Sequence, residues 1–401
     1  MFKLDKIYDR LQRKTNTTAF IPQIDGLRFL AILLVVLYHI NGFVANKLPF
    51  FLDKQAASFR LTYALFDDYG PGLRGVFIFF VISGFILALP FAKHFWQQGK
   101  EIRLKNYFMR RLTRLEPPYI FNILVTSVLL VFFARHEFAG MFPNLSFRGL
   151  LPSVSSSLVY MHNIIYPSAL SVNPVAWSLE IEVQFYILVP LLVLILKLQK
   201  IPRRLILALA VFFFIFFQHL FPIKARTLYS FIQYFLLGFL LVDVYLSGFR
   251  LKLNAILSAL LGCGLLFSLL YVNLYRSAWE ESVFAVLLFS FFVLVLSNEL
   301  WQKIFRTRFL TAIGGMCYSI YLWHDIILSG AGNRTVLFVF FHSYPLALLW
   351  QMIILLPIIL LISAGFYVFI ERPCMDKDWP VKLWRFVTRQ KPAAVIPLQN
   401  Q

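Results

Sequence analysis

Long apolar stretches recur along the whole chain, and short polar segments separate them. Each stretch is close to the length that an α-helix needs to cross the hydrocarbon core of a bilayer, about 20 residues with a wide tolerance. The ten stretches lie near residues 24–44, 75–91, 119–134, 175–198, 205–221, 228–246, 253–272, 283–297, 309–328 and 346–369. This pattern predicts an all-α fold, a polytopic transmembrane helical bundle with about ten spans.

Composition extends the membrane prediction to the entire chain. Of the 401 residues, 60% are hydrophobic and 14% are charged, with a mean hydropathy of +0.73, whereas soluble domains carry about 25% charged residues. No repeat or low-complexity tract divides the chain. We therefore expect a cytoplasmic N-terminal leader at 1–20, one transmembrane domain at 21–373 and a cytoplasmic C-terminal tail at 374–401.

Basic residues are concentrated in alternate segments between the apolar stretches. The segment 93–114 contains seven Lys and Arg residues against one Glu, within a net charge of +19 for the chain. Such a distribution follows the positive-inside rule, so it predicts a lipid bilayer and no nucleic acid as partner. An even number of spans then places both termini in the cytoplasm, and the segment 135–174 on the opposite side, where it lies on the surface or re-enters.

The three cysteines stand alone in the sequence. Cys263, Cys317 and Cys374 form no CxxC pair and have no nearby histidine at ligand spacing. We therefore expect neither a disulfide framework nor a metal site, and no permanently bound cofactor.

The first apolar stretch carries three ionisable residues on one helical face. At 100° per residue, Asp25, Arg28 and His39 share a stripe, and a rise of 1.5 Å per residue separates Arg28 from His39 by about 16 Å. Ionisable groups at this depth usually face a bundle interior and have a function. The alternative is that Arg28 snorkels and His39 caps the membrane interface.

The fourth stretch presents a carboxylate at a comparable depth. Ser178, Glu182 and Phe185 fall on one face, while Glu180 points roughly the other way. Glu182 is therefore the better interior candidate and is predicted to orient the His39 imidazole. A structural salt bridge is the alternative.

Two further segments carry candidate binding residues. Tyr321, His324 and Asp325 lie near the outer end of the ninth stretch, where they line an acceptor site or belong to an interfacial aromatic belt. Arg111 and Arg114 share a helical face at the predicted cytoplasmic boundary. Guanidinium groups in such a place bind phosphates, or they only fix the topology.

Taken together, these segments resemble the acyltransferase-3 family of bacterial membrane proteins over nearly the whole chain. The segments that carry the resemblance are Asp25 to Arg28 with His39, residues 75–85, Arg111 to Arg114, Trp177 to Glu182 with Tyr186, Tyr318 to His324, and Glu371 to Pro373. Two positions depart from the family pattern: Phe77 replaces a residue that is often acidic, and Glu180 replaces a small polar one.

The resemblance implies a transferase of the bacterial cytoplasmic (inner) membrane. It would move an acyl group, most often acetyl, from cytoplasmic acyl-CoA to a hydroxyl of a cell-surface or exported carbohydrate. His39 would be the general base, or form an acyl-imidazole, and Glu182 would orient it. The donor would bind at Arg28, Arg111 and Arg114. The residues expected to bind the acceptor are Asp25, Trp177, Ser178, Tyr321 and His324.

Two expectations concern the rest of the system. Many family members carry a soluble hydrolase-like domain after the membrane region, and the segment from Asp376 to Gln401 contains no such domain. We therefore expect the chain to complete transfer alone or with a separate periplasmic transferase partner. The competing interpretation is a proton-coupled transporter or a polysaccharide exporter without acyl transfer.

Overall fold

A computed structural model of the chain describes residues 20–47, 57–65, 71–133, 146–167, 171–271, 277–338 and 343–376, with a few isolated positions besides. These residues form helices and turns, without a β-strand among them. The predicted all-α fold is thereby confirmed for the part of the chain described. Most of the predicted leader at 1–20 and of the tail at 374–401 lies outside it.

Fifteen α-helices of four residues or more follow one another in these ranges. They are α1 Pro22–Lys47, α2 Ala57–Ala64, α3 Pro71–Gln97, α4 Leu104–Phe133, α5 Phe147–Leu158, α6 His162–Ile165, α7 Trp177–Leu192, α8 Lys200–Leu220, α9 Ile232–Leu246, α10 Ala255–Tyr271, α11 Ala278–Ser297, α12 Glu299–Phe305, α13 Arg308–Gly315, α14 Cys317–Ile327 and α15 Tyr344–Phe366. Turns of π-helix extend α14 over Leu328–Gly332 and α15 over Tyr367–Glu371.

Seven of the helical segments are long and apolar enough to cross a membrane, and two shorter apolar helices, α9 and α10, accompany them. The predicted ninth span is not one continuous helix, because the chain breaks at Met316 between α13 and α14. The end of α13 lies close to α1 at Gly314. A Cβ at this position would overlap the backbone oxygen of Asp25 in α1. The count of about ten spans stays a prediction.

The centre of the bundle is built from α1, α3 and α9, which pack along much of their length. Glycines permit the contact between α3 and α9, since a Cβ at Gly84 would overlap the carbonyl oxygen of Phe235 and one at Gly238 that of Val81. Small residues at helix interfaces are the usual way in which membrane helices approach closely. This tight centre holds α1, and with it His39, in a defined position.

The described part of segment 135–174 re-enters the bundle beside α4. Leu130 of α4 shares a small apolar cluster with Leu150 of α5, and further along, Tyr119 stacks on Tyr160 with ring centroids 4.8 Å apart. The eleven residues between Leu130 and Tyr119 correspond to about 16 Å of helix. The segment therefore runs down α4 and turns back before α7 begins, so α7 starts inside the bundle rather than at its edge.

Candidate active site

Two histidines from distant parts of the sequence meet in the bundle. His39 of α1 and His324 of α14 have ring centroids 4.8 Å apart, and His324 Nε2 lies 3.4 Å from His39 Nδ1. His324 is fully buried, whereas His39 is half-buried. The predicted catalytic residue and one of the predicted acceptor-binding residues are thus direct neighbours.

The backbone around this pair assigns the ring protons. His324 Nδ1 lies 2.8 Å from the carbonyl oxygen of Tyr321, and His39 Nδ1 lies 2.8 Å from that of Val35. A carbonyl oxygen only accepts, so both Nδ1 atoms carry the proton and donate. His324 Nε2 then has a free lone pair that faces the Nδ1–H group of His39. The same assignment leaves His39 Nε2 unprotonated, which is the form that a general base requires.

The Tyr321 hydroxyl, one turn before His324 on α14, connects α14 to the start of α7. The Tyr321 hydroxyl donates to the carbonyl oxygen of Val175 at 2.6 Å, so it accepts from the Ser178 hydroxyl at 2.8 Å. The Tyr321 and His324 rings are 5.8 Å apart. Trp177 precedes Ser178 on α7 and is half-buried, but its ring packs against Phe231, with centroids 5.5 Å apart, and lies 5.0 Å from the Arg226 guanidinium. We call the group of His39, Ser178, Tyr321 and His324 the histidine site, and Trp177 adjoins it through Ser178.

Asp25 does not belong to the histidine site. It is buried and forms an ion pair with Arg28, one turn away on α1. Since Arg28 lies eleven residues before His39 on the same helix, the ion pair is about 16 Å from the imidazole along the helix axis. Asp25 therefore lies beside the predicted donor-binding residue Arg28. It does not lie beside the other residues that were predicted to bind the acceptor.

Arg111 is packed between aromatic rings. Its guanidinium lies 3.9 Å from the ring centroid of Tyr107 and 5.5 Å from that of Tyr186, and it donates to the Tyr107 carbonyl oxygen at 3.0 Å. Arg114 is also half-buried. These contacts hold the guanidinium of Arg111 in a fixed position.

Glu182 has partners other than the one predicted for it. Its Oε1 accepts from the Ser83 hydroxyl at 2.6 Å and from the Tyr186 hydroxyl at 2.5 Å. Its carboxylate lies within electrostatic range of Arg28 and Arg111. Among the described contacts none joins it to His39.

The re-entrant segment explains why this prediction differs from the structure. The prediction placed Glu182 at the depth of His39 on the assumption that α7 begins at the edge of the membrane. In the structure, α7 begins at the level of Tyr321. Glu182 lies one turn beyond Ser178, and His324 lies three residues from Tyr321 in the opposite direction. At 1.5 Å per residue the two side chains are separated by roughly 10 Å along the axis.

Three further carboxylates have defined surroundings in the structure. Glu180 was expected to point away from the interior, but it is buried, and its Oε2 accepts from the backbone N–H of Asn163 at 2.9 Å at the tip of the re-entrant segment. Asp325 lies within electrostatic range of His39. Glu371 is fully buried beside Ser319. The sequence predicted Asp325 to line the acceptor site or to belong to an interfacial belt, whereas Glu371 entered only through a segment that carries the family resemblance.

A search of the described residues finds no group of three His, Cys, Asp or Glu side chains that could hold a metal ion. The arrangement instead combines an unprotonated imidazole nitrogen, hydroxyl groups and an aromatic ring in one place, with guanidinium groups in another. Such a division suits a reaction between a hydroxyl compound and an anionic donor.

Comparisons with known proteins agree with this chemistry. The model of a family described as an acyltransferase domain matches residues 21–368. O-acetyltransferase OatA of Staphylococcus aureus strain NCTC 8325 is 25% identical over 422 residues, which cover 96% of this chain and 62% of that protein. Peptidoglycan O-acetyltransferase OatA of Listeria monocytogenes is 30% identical over 193 residues, 47% of this chain and 26% of that protein. The chain spans less than two thirds of the length of these relatives. No solved structure matches it.

Proposed function

The chain belongs to the acyltransferase-3 family, and we propose from this premise that it is a membrane-embedded O-acyltransferase. It moves an acyl group, acetyl in the first instance, from acyl-CoA to a hydroxyl of a cell-surface or exported saccharide. The observation that carries the proposal is the geometry of the histidine pair: His39 Nδ1 lies 2.8 Å from the Val35 oxygen and 3.4 Å from His324 Nε2, which leaves His39 Nε2 for an acceptor hydroxyl. The names of the relatives suggest peptidoglycan as the first acceptor to test.

In the proposed reaction, His39 Nε2 takes the proton of the acceptor hydroxyl while the hydroxyl oxygen attacks the thioester carbonyl carbon. The C–S bond then breaks, and the leaving thiolate of coenzyme A takes the proton from the imidazolium. A positioned base of this kind accelerates such a step by about 10² to 10⁴-fold. His324 accepts from His39 Nδ1–H throughout and stabilises the charge that forms on the ring.

The donor is proposed to lie with its nucleotide at Arg111 and Arg114 and its thioester toward His39. Arg111 is held between two tyrosine rings, and planar guanidinium groups bind phosphate oxygens well. Arg28 lies between this end and His39. The acceptor binds at Trp177, Ser178, Tyr321 and His324, where an aromatic ring and hydroxyl groups offer the contacts that sugars use.

We propose the topology from the lengths of the helices and the positions of the basic segments. We propose ten crossings by counting the seven long segments, the two shorter apolar helices and the broken pair α13–α14 as one crossing each. With the basic segment 93–114 inside, both termini are cytoplasmic, and Arg111 faces the compartment that contains acyl-CoA. The bacterial cytoplasmic membrane is the corresponding location.

The test uses membranes that contain the full-length protein, radiolabelled acetyl-CoA and a peptidoglycan acceptor. We expect label to enter the saccharide with the wild type, and His39→Ala to lower the rate by 10² to 10⁴-fold. His219→Ala is the matched control, because the Nδ1 atom of His219 also lies against its own helix, 2.9 Å from the Ile215 oxygen, outside the histidine site. Equal rates in the two variants would refute the role of His39. If the protein transported a substrate without acyl transfer, the label would stay on coenzyme A with the wild type and with both variants.

A further inference from the structure

Several buried polar atoms between α1, α4 and the end of α15 lack a hydrogen-bond partner in the described structure. They include both acceptors and donors. The atoms are Asp25 Oδ2, Arg114 Nε, the Tyr367 hydroxyl and Glu371 Oε1. Buried polar groups in proteins are nearly always hydrogen-bonded, so a group of exceptions indicates a missing ligand or water.

These atoms belong to one place in the bundle. The Cys317 thiol lies within electrostatic range of Asp25, Arg28, Arg114 and Glu371 at once. The Tyr367 hydroxyl lies within range of Asp25, Arg114 and Glu371. We call this group the Glu371 cluster, and its members are Asp25, Arg28, Arg114, Tyr367 and Glu371.

Glu371 is held so that one oxygen stays free. Its Oε2 accepts from the backbone N–H of Ser319 at 3.0 Å and from the Ser319 hydroxyl. Its Oε1 is fully buried and has no hydrogen-bond partner among the described residues. The residue ends a π-helical turn, Tyr367–Glu371, a feature that occurs often at functional sites. A purely structural ion-pair network would be expected to use both oxygens.

We propose that the Glu371 cluster binds the amide groups of the pantetheine arm of the donor, an inference that rests on the proposed function. An amide offers one N–H and one C=O, and the cluster offers carboxylate oxygens for the first and the Arg114 and Tyr367 donors for the second. Pantetheine contains two amides between the nucleotide and the thioester. The cluster begins at Arg114, which it shares with the proposed nucleotide end, and it includes Arg28, which lies about 16 Å from His39 along α1. It therefore connects the nucleotide end with the histidine site.

The inference is tested with donors that lose these amides in steps. Acetyl-CoA and acetylpantetheine both have two amides, S-acetyl-N-acetylcysteamine has one, and S-acetyl-2-mercaptoethanol has none. We expect Glu371→Gln and Tyr367→Phe to raise KM for the two longest donors about tenfold, the loss of one buried hydrogen bond. KM for the amide-free donor should not change. Glu101→Gln, an exposed carboxylate in the segment before α4, is the matched control.

Two results would overturn the proposal. One is a KM that rises by the same factor for all four donors. The other is a KM that changes for none of them, as expected if the cluster holds only water.

If the wild type transfers from no donor, the proposed function fails, and binding is then measured separately by thermal stabilisation of the full-length protein with coenzyme A and with pantetheine. The amide site is supported if coenzyme A and pantetheine both stabilise the wild type and Glu371→Gln reduces that stabilisation. It is refuted if pantetheine does not stabilise the wild type.

Discussion

Replacement of His324 tests whether the two histidines act as a unit. His324 Nε2 lies 3.4 Å from His39 Nδ1, a long hydrogen bond, and the Val35 oxygen shares the same proton at 2.8 Å. A full hydrogen bond to a charged group stabilises by about 1.5–3 kcal/mol. We assign this long, shared bond about 1.4 kcal/mol, just below that range, which corresponds to tenfold in rate. His324→Leu should therefore lower kcat about tenfold, far less than His39→Ala.

The assay is acetyl transfer by the single variants and by the double variant in one membrane preparation. If His324 acts through His39, then His324→Leu should have no further effect once His39 is alanine, so the two losses are not additive. His324→Gln, which keeps an acceptor near His39, should recover most of the rate. Chromatography in detergent checks that each variant is folded.

Two outcomes would contradict the reasoning. Additive losses of kcat in the double variant would mean that His324 acts on the reaction or the fold independently of His39. A contact of His324 with the acceptor would change KM for the acceptor instead. Equal losses in His324→Leu and His324→Gln would mean that the hydrogen bond to His39 is not what matters.

Three further predictions concern other parts of the molecule. Arg111→Gln should raise KM for acetyl-CoA about tenfold and leave KM for acetylpantetheine unchanged, since only the first contains the nucleotide; equal effects on both donors would exclude nucleotide binding at this residue. Glu182→Leu leaves two hydroxyl donors without their acceptor and should lower the free energy of unfolding by about 1–3 kcal/mol for each, whereas Glu182→Gln should lower it less in thermal unfolding. Gly238→Val should abolish the folded, monodisperse protein in size-exclusion chromatography, because the added atoms overlap the backbone of α3; a normal profile would show that α3 and α9 are not packed as described.

Local patterns in the sequence were sufficient for the membrane class and for the first helix. Apolar stretches of bilayer length report on the solvent directly, because backbone groups in lipid must be satisfied within a helix. The all-α fold and the helix that carries Asp25, Arg28 and His39 follow from this. The combination of short motifs also indicated the acyltransferase-3 family, which the family match over residues 21–368 confirms.

Contacts between distant residues were decided only by the tertiary structure. A helical stripe shows which side chains share a face, but not which helix lies opposite or at what depth it begins. The re-entrant segment places the start of α7 inside the bundle, so Glu182 pairs with Ser83 and Tyr186 instead of His39. The packing of α14 against α1 brings together His39 and His324, 285 positions apart. Periodicity could identify each histidine as an interior candidate, but their pairing and the assignment of the base nitrogen depend on three-dimensional packing.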